Sequence, residues 1–337
     1  MSAAPDWTAA LGDHVGVLAW APTGDRLLAG SLAGDAAIFD AHGHVERKLD
    51  THAMGVLTGA WYPTGRSVAV GGQDGVVRTT ELDGTATTFD LGGWVTALAW
   101  APDGSALAAG AGRHLHLVDT ATDTVRRYDP APSTVTAVTW SPDGSRVGAA
   151  AYGGIRWHEP GRDTDAPVRV FDWKGSLLSL AVSPTGRWVC AGSQDATVHL
   201  WRLWSAKDLS MSGYPAKIEH LAFRDDGRWM ANACLGEITV WDFAGKGPAG
   251  TAPAQADAHD RHVTALAWQP GGELLATAGA DGSVALWPSP RRAGQAIAPL
   301  CRFEHRVAVA SLAWAPDGSR LAVGRDDGTI ETHPVEP

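Results

Sequence analysis

The hydrophobic pattern of this chain consists of short alternating runs separated by turn residues. In the segment His262–Trp268, apolar and polar positions alternate with the period of two that is typical of a β-strand. Residues 269–272 then predict a tight turn, because proline fixes φ and glycine permits positive φ. Residues 273–279 and 283–287 continue the strand pattern on either side of a second turn. A fourth strand is expected near 298–303, which gives one four-stranded antiparallel unit.

This unit recurs along the chain, as a phrase close to Ala-Trp-x-Pro-x-Gly shows. The eight copies begin at residues 19, 60, 99, 139, 181, 222, 267 and 313. The second position holds Trp20, Trp61, Trp100, Trp140, Val182, Phe223, Trp268 and Trp314, and the sixth copy has Asp225 in place of proline. Neighbouring copies lie 41, 39, 40, 42, 41, 45 and 46 residues apart. A period near 40 indicates one supersecondary unit that stacks against its neighbours.

Four side chains of the clearest unit resemble the hydrogen-bonded tetrad of the WD40-repeat family. They are His259, Thr277, Asp281 and Trp287. The resemblance implies that they tie the outer strand of a blade to its inner strands. Two other units match two positions each, through His52 with Asp74 and His305 with Asp327, and the fifth and sixth units lack the histidine. We therefore expect polar tethering in about three blades and apolar packing in the others.

The resemblance covers nearly the whole chain and implies an all-β, closed WD40-type β-propeller. Eight copies of the motif predict eight four-stranded blades, with seven blades as the alternative. We expect a single domain over 1–337, with blades at about 12–50, 51–90, 91–130, 131–172, 173–213, 214–257, 258–304 and 305–337. The last blade lacks a fourth strand, and residues 5–11 have no partner of their own. We expect those residues to supply that strand and close the ring, because closure removes free sheet edges.

The charge and composition of the chain limit the classes of partner that it is expected to bind. The net charge of −10 disfavours a nucleic-acid partner, whose phosphates require a basic surface. Three cysteines do not make a disulfide framework, the first residues do not resemble a signal peptide, and no apolar run is long enough to span a membrane. We expect a cytoplasmic protein without membrane or nucleic-acid partners. Since no heptad run or long helix is predicted, we expect a monomer.

The motifs of enzymes are missing from the sequence. It contains no Gly-x-Ser-x-Gly elbow, phosphate-binding loop, His-Glu-x-x-His or Cys-x-x-Cys motif. The His42/His44 and His114/His116 pairs each offer two imidazoles, which is too few for a zinc site. We expect no catalytic residue, no metal and no cofactor, and hence not an enzyme.

The family resemblance also implies one loop-rich rim, called the top, which gathers the loop before each first strand and the turn between the second and third strands. Aligned on Trp268, the residues at the mouth of the channel are His14, Gly55, Trp94, Thr134, Ser176, Lys217, His262 and Ala308. Trp173 and Tyr214 occupy the position of His259 in the fifth and sixth units. The partner-binding residues expected on this rim are Trp94, Trp173, Gln194, Tyr214, Lys217 and His262. In the alternative, Trp173 and Tyr214 fill the space left by the absent histidine.

The function expected first is a non-enzymatic scaffold that binds a protein or peptide on the top rim, because aromatic residues are enriched at binding hot spots. The second reading is a small-ligand or metal-binding propeller that uses His14, Lys217 and His262. A channel-based enzyme is the third. The atypical segment 202–217 resembles a group of bacterial WD40 proteins that is loosely associated with metal-homeostasis loci.

Overall fold

The computed structural model describes residues 4–205 and 207–335. Within these ranges the chain forms thirty β-strands and no helix, so no helix there is long and apolar enough to cross a membrane. All strand pairs are antiparallel, and tight turns connect them.

The strands of the first half are β1 Trp7–Ala10, β2 Val17–Trp20, β3 Arg26–Gly30, β4 Ala36–Asp40, β5 Val45–Lys48, β6 Val56–Trp61, β7 Ser67–Gly72, β8 Val76–Glu81, β9 Ala86–Asp90, β10 Val95–Trp100, β11 Leu107–Ala111, β12 His114–Asp119, β13 Thr124–Arg127, β14 Ala137–Trp140 and β15 Val147–His158. Those of the second half are β16 Arg169–Val182, β17 Trp188–Ser193, β18 Val198–Arg202, β19 Asp208–Met211, β20 His220–Phe223, β21 Trp229–Cys234, β22 Glu237–Asp242, β23 Ala254–Asp257, β24 Val263–Trp268, β25 Leu274–Gly279, β26 Ser283–Pro288, β27 Cys301–Glu304, β28 Val309–Trp314, β29 Arg320–Arg325 and β30 Thr329–Pro334.

The strands of the described ranges form seven sheets. Six sheets hold four strands each, namely β2–β5, β6–β9, β10–β13, β20–β23, β24–β27 and β28–β30 with β1, and β14–β19 form one sheet of six. The prediction of eight separate four-stranded blades is therefore corrected to seven sheets, in agreement with the seven-blade alternative.

The fourth and fifth repeat units are joined because two long strands replace shorter ones. Strand β15 runs through the predicted second turn of the fourth unit, with a bulge between Tyr152 and Gly153. Strand β16 then continues without a break from the outer strand of that unit into the inner strand of the next. Each half of β16 therefore pairs with a different neighbour, β15 on one side and β17 on the other.

Every copy of the Ala-Trp motif nevertheless occupies the same place in the fold. The second residue of each copy ends strand β2, β6, β10, β14, β16, β20, β24 or β28. Each of these innermost strands contacts the next one, and β28 contacts β2. The inner strands thus form a closed ring around a central channel.

Indole groups of the motif tie neighbouring units together. The ring nitrogen of Trp61 donates to the carbonyl of Ala19, 2.8 Å away, and Ala19 is the first residue of the preceding motif copy. Trp140 makes the same bond to Ala99, Trp268 to Ala222 and Trp314 to Ala267. Trp20 donates to Ala313 at 3.1 Å and so carries the series across the closure of the ring. The Ala-Trp pair therefore supplies both the acceptor and the donor of the contact between units.

Glycines at the ends of second strands let the sheets stack closely. A Cβ atom added to Gly71 would lie 2.5 Å from Cγ1 of Val95, and one added to Gly110 would lie 2.7 Å from Cγ1 of Val135. Both valines belong to the following unit and are fully buried. Glycine is required at these two positions because the core between units has no room for a side chain.

The N-terminal strand closes the ring, as the sequence predicts. Strand β1 pairs with β30, with Trp7 opposite Thr332 and Ala10 opposite Thr329. The ring of Trp7 is buried and stacks on Phe39 of the first unit, with ring centroids 6.1 Å apart. Residues near the start of the chain thus complete the last sheet and also pack against the first.

Deleting residues 1–11 is expected to lower the melting temperature by roughly 10 °C or more. The deletion removes the fourth strand of a sheet and a buried tryptophan, and Trp→Ala changes alone lose about 3–5 kcal/mol. Differential scanning calorimetry checks this, with Thr8→Ala as a matched control because Thr8 is exposed on the same strand. A melt that is equal for the deletion and the control would show that closure does not depend on β1.

Two buried histidines make the fold sensitive to acid. His116 and His158 are both 2% exposed, and one ring nitrogen of each has no hydrogen-bond partner among the described residues. Burial, reinforced by His114 and Arg127, lowers the pKa of His116 to about 4. Burial, reinforced by Arg156, lowers the pKa of His158 to about 4 as well. Both imidazoles are therefore neutral in the folded protein at pH 7.

Stability is expected to fall as the pH decreases from 6.5 towards 4. The unfolded chain takes up a proton at each of these histidines near pH 6.5, whereas the folded chain does so only near pH 4. Each histidine should reduce the free energy of unfolding by about 2 kcal/mol by pH 5, before most carboxylates titrate. Urea denaturation at several pH values measures this slope. The slope should be shallower in a His116→Gln, His158→Gln double variant and unchanged in His42→Gln, whose imidazole is exposed. Equal slopes in all three proteins would contradict the assignment.

Candidate functional site

Backbone hydrogen bonds assemble a loop-rich face at one end of the channel, which we call the top face. The carbonyl of His14, in the loop before β2, accepts from the amide of Leu32, in the turn after β3. The same bond joins Trp94 to Gly112 at 3.2 Å, and His262 to Ala280 at 3.0 Å. Because the main chain makes these bonds, the side chains of the face are free to differ from unit to unit.

The tetrad residues of the seventh unit lie together. Nε2 of His259 lies 2.9 Å from the Thr277 hydroxyl, which also accepts from Nε1 of Trp287 at 3.0 Å. On the other side of the ring, Nδ1 of His259 lies 3.2 Å from Oδ1 of Asp281. Burial lowers the pKa of His259 against the opposing pull of Asp281, which favours the neutral imidazole. This chain of bonds links β25 and β26 to the loop before β24.

Tyr214 takes the place of the histidine in the sixth unit. Its hydroxyl accepts from Nε1 of Trp241 at 3.0 Å and lies 3.2 Å from Oδ1 of Asn232 and 3.3 Å from the Thr239 hydroxyl. Burial raises the pKa of Tyr214, so the phenol stays protonated. The contacts favour the packing role for Tyr214 over a role on the open face.

Trp173 fills the equivalent space in the fifth unit. Its ring packs against that of His199 in a tilted arrangement, with centroids 3.9 Å apart, and Nε2 of His199 lies 3.1 Å from Oδ2 of Asp208. The side chain is only partly exposed and packs against the buried cluster that contains Phe171 and Trp201. These contacts again favour packing.

Gln194, Lys217 and His262 are exposed on the top face. The amide of Gln194 donates to the carbonyl of Ser176, which places it in the turn between β17 and β18. Lys217 and His262 line one cavity of about 290 Å³ together with Glu219, His220, Leu235 and others. The Lys217 ammonium lies 2.8 Å from a Glu219 carboxylate oxygen. The structure therefore brings Lys217 and His262 together at the mouth of the channel.

Trp94 is the most exposed of the tryptophans in the described ranges, at 56%. It lies in the loop before β10 and belongs to the third unit. Eight large apolar side chains of the described ranges are exposed, and five of them lie on the top face: Leu32, Met54, Trp94, Tyr152 and Leu235. The other three, Val45, Val125 and Leu300, lie on or beside outermost strands. Exposed apolar surface is therefore concentrated on this face.

Four of these residues, Leu32, Met54, Trp94 and Tyr152, come from the first four units, and we call them the apolar arc. Gly55, beside Met54, packs directly against the backbone of Leu32, with 2.8 Å between its added Cβ and the Leu32 carbonyl oxygen. Of these four residues, the sequence predicts only Trp94 as a member of the site. The sequence does contain a signal for Leu32. This leucine lies in a turn where another unit has the polar pair Gln-Asp, and the turn itself does not require an apolar side chain.

The channel mouth does not assemble a metal site from the described residues. The one group of three metal-capable side chains found among them is His305, Glu331 and His333, on the outer part of the last sheet. At the mouth, Nδ1 of His14 pairs with Oδ1 of Asp326 at 2.8 Å. His14, Lys217 and His262 are therefore not joined as one set of ligands.

Replacing Trp173 with alanine is expected to reduce the free energy of unfolding by about 3 kcal/mol, because the ring packs on His199 and the cluster beneath it. Trp94→Ala is the matched control, and its effect should stay within about 0.5 kcal/mol because the ring is exposed. Urea denaturation followed by circular dichroism measures both. Equal losses from the two variants would show that Trp94 is also a core residue.

Comparison with known proteins supports the architecture. The repeat family described as "WD domain, G-beta repeat" matches residues 86–119, 166–202, 253–288 and 298–331. The C-terminal WD40 domain of Sif2 superposes with a TM-score of 0.83 at 16% identity, covering 99% of this chain and 98% of that one.

The matches to curated relatives cover only part of this chain and part of each relative. "Periodic tryptophan protein 2 homolog" of Schizosaccharomyces pombe is 30% identical over 127 residues, which are 36% of this chain and 14% of that protein. "Small ribosomal subunit protein RACK1y" of Oryza sativa subsp. japonica is 27% identical over 113 residues, 33% of this chain and 34% of that protein. The matched part of the chain thus spans about a third or less of these relatives. The four repeat matches and the ring of sheets both support a WD40 β-propeller.

Proposed function

We propose that this propeller is a non-enzymatic scaffold that binds a protein or peptide on its top face. The observation that carries the proposal is the concentration of exposed apolar side chains there, with Trp94 the most exposed aromatic ring. Exposed apolar side chains that gather on one face of a protein are a feature of interaction sites. Exposed tryptophan is the residue most often found to dominate binding energy.

The rigid backbone of the top face supports the same role. Loops held by main-chain bonds present their side chains at fixed positions, which reduces the ordering entropy of binding. The apolar arc would supply the anchors, and exposed Gln194, Lys217 and His262 would supply polar contacts at the rim. Trp173 and Tyr214, which the sequence also assigns to the site, would then act beneath the surface by supporting their loops.

The alternative function, a small-ligand site, rests on the cavity lined by Lys217, His220 and His262. A cationic lysine beside two imidazoles suits an anionic ligand, although Glu219 already pairs with Lys217. The small-ligand site is the second proposal because it gives the apolar arc no role.

The proposal also covers the domain organisation, the oligomeric state and the cellular location. We propose one domain with the unit boundaries given above and a monomeric protein that acts in the cytoplasm without a catalytic residue or an organic cofactor. The net charge of −10 favours partners other than nucleic acid.

Affinity purification from the native host tests the scaffold, followed by binding of the purified partner to each variant. Trp94→Ala and Met54→Ala should each weaken binding, and Trp94→Ala should raise Kd by roughly 30-fold or more, as expected for a hot-spot tryptophan. The fold should be unchanged, because both side chains are exposed.

Val125→Ala and Leu300→Ala are the matched controls, since these exposed apolar side chains lie on or beside outermost strands, away from the top face. Both should bind like the wild type. A partner that is lost with the controls and retained by the arc variants would place binding on the circumference and refute the proposal.

A further inference from the structure

The last sheet carries a different set of side chains at the positions of the tetrad. Opposite Leu321 on β29 stands His333, just as Trp287 stands opposite Leu275 in the seventh unit. Val323 likewise replaces Thr277, and Glu331 replaces Ala285. His305 precedes β28 as His259 precedes β24.

These substitutions leave the histidine without its usual partners. With Val323 in place of the threonine, Nε2 of His305 is buried and has no hydrogen-bond partner among the described residues. His305 and His333 instead both contact Glu331. Its Oε2 atom lies 3.5 Å from Nδ1 of His305 and 3.3 Å from Nε2 of His333.

The three groups have the chemistry and spacing of a metal-ligand set. One donor atom from each lies within 4.8 Å of the others. Two imidazoles and a carboxylate are a common zinc-binding combination, and zinc–ligand distances near 2.0–2.1 Å separate tetrahedral ligands by about 3.4 Å. The side chains of His305, Glu331 and His333 are 8%, 13% and 1% exposed, so the cluster is shielded from water.

Arg325 is the group that a metal ion would have to displace. Its Nη1 atom lies 3.4 Å from Oε1 of Glu331, the oxygen that does not face the histidines, and 3.2 Å from Nδ1 of His305. The contact with His305 must be released, and this places a competing cation beside the site.

We propose that His305, Glu331 and His333 form a structural binding site for a divalent transition-metal ion, with zinc the best-suited ion. Such an ion would tie the loop before β28 to β30, the strand that also pairs with β1. It would therefore stabilise the sheet at which the ring closes.

Calorimetric titration of chelator-treated protein with zinc chloride tests the site. We expect one zinc per chain with Kd below about 10 µM, and a rise in melting temperature. Glu331→Gln, which keeps the shape of the side chain, and His333→Phe should each weaken binding at least 100-fold. Cobalt(II) should bind at the same site and give visible absorption bands, and these bands should be absent in Glu331→Gln.

Three further variants separate this cluster from other histidines. His259→Gln, in the complete tetrad, and a His42→Gln, His44→Gln double variant should bind zinc as the wild type does. Arg325→Gln should bind it about tenfold more tightly, because the competing cation is gone. The proposal is overturned if the wild type binds no stoichiometric zinc, if Glu331→Gln binds it equally well, if the surface double variant loses it, or if Arg325→Gln binds it more weakly.

Discussion

The hydrogen bond from a motif tryptophan to the alanine carbonyl of the preceding unit is the interaction on which the ring depends. An indole N–H buried between sheets needs an acceptor, because leaving it unpaired costs about 1–3 kcal/mol. Five of the six motif tryptophans make this bond, which fixes the distance and rotation of each unit relative to the one before. The exception is Trp100, whose indole N–H has no partner among the described residues. The acceptor of Trp20 is the carbonyl of Ala313 in the last unit, which lies beside Trp20 only when the ring is closed. The bond that holds successive units together therefore also favours closure.

Two neighbouring units that lack this bond form the least regular part of the ring. The motif tryptophan is replaced by Val182 and Phe223 in the fifth and sixth units, which therefore cannot donate. The same units lack the tetrad histidine, and large aromatic residues pack in its place. In this part of the ring the sheets are joined by the continuous strand β16 and by apolar packing. The hydroxyls of Thr136 and Ser179 also donate to carbonyls of the following unit, Leu177 and Ile218.

The sequence predicts the repeated strands and the closing strand well, because turn residues and alternation encode them locally. It does not predict that β16 runs through Lys174 and Gly175, where a loop residue pattern suggests a break. Exposure is equally hard to predict, since Trp94 and Trp173 both lie off the repeat pattern. The ring of Trp173 is covered because it packs against His199, which lies on a later strand. The sequence does not show this contact.

A closed ring can tolerate such variation because each unit is held by two neighbours as well as by its own polar contacts. The tetrad positions accordingly hold histidine with threonine and tryptophan in one unit, tyrosine with asparagine in another, and two histidines with a valine in the last. Main-chain bonds fix the loops of the top face in the same way, whichever side chains they carry. The main chain therefore holds these loops, and exposed residues such as Met54 and Trp94 can vary without a penalty to the fold.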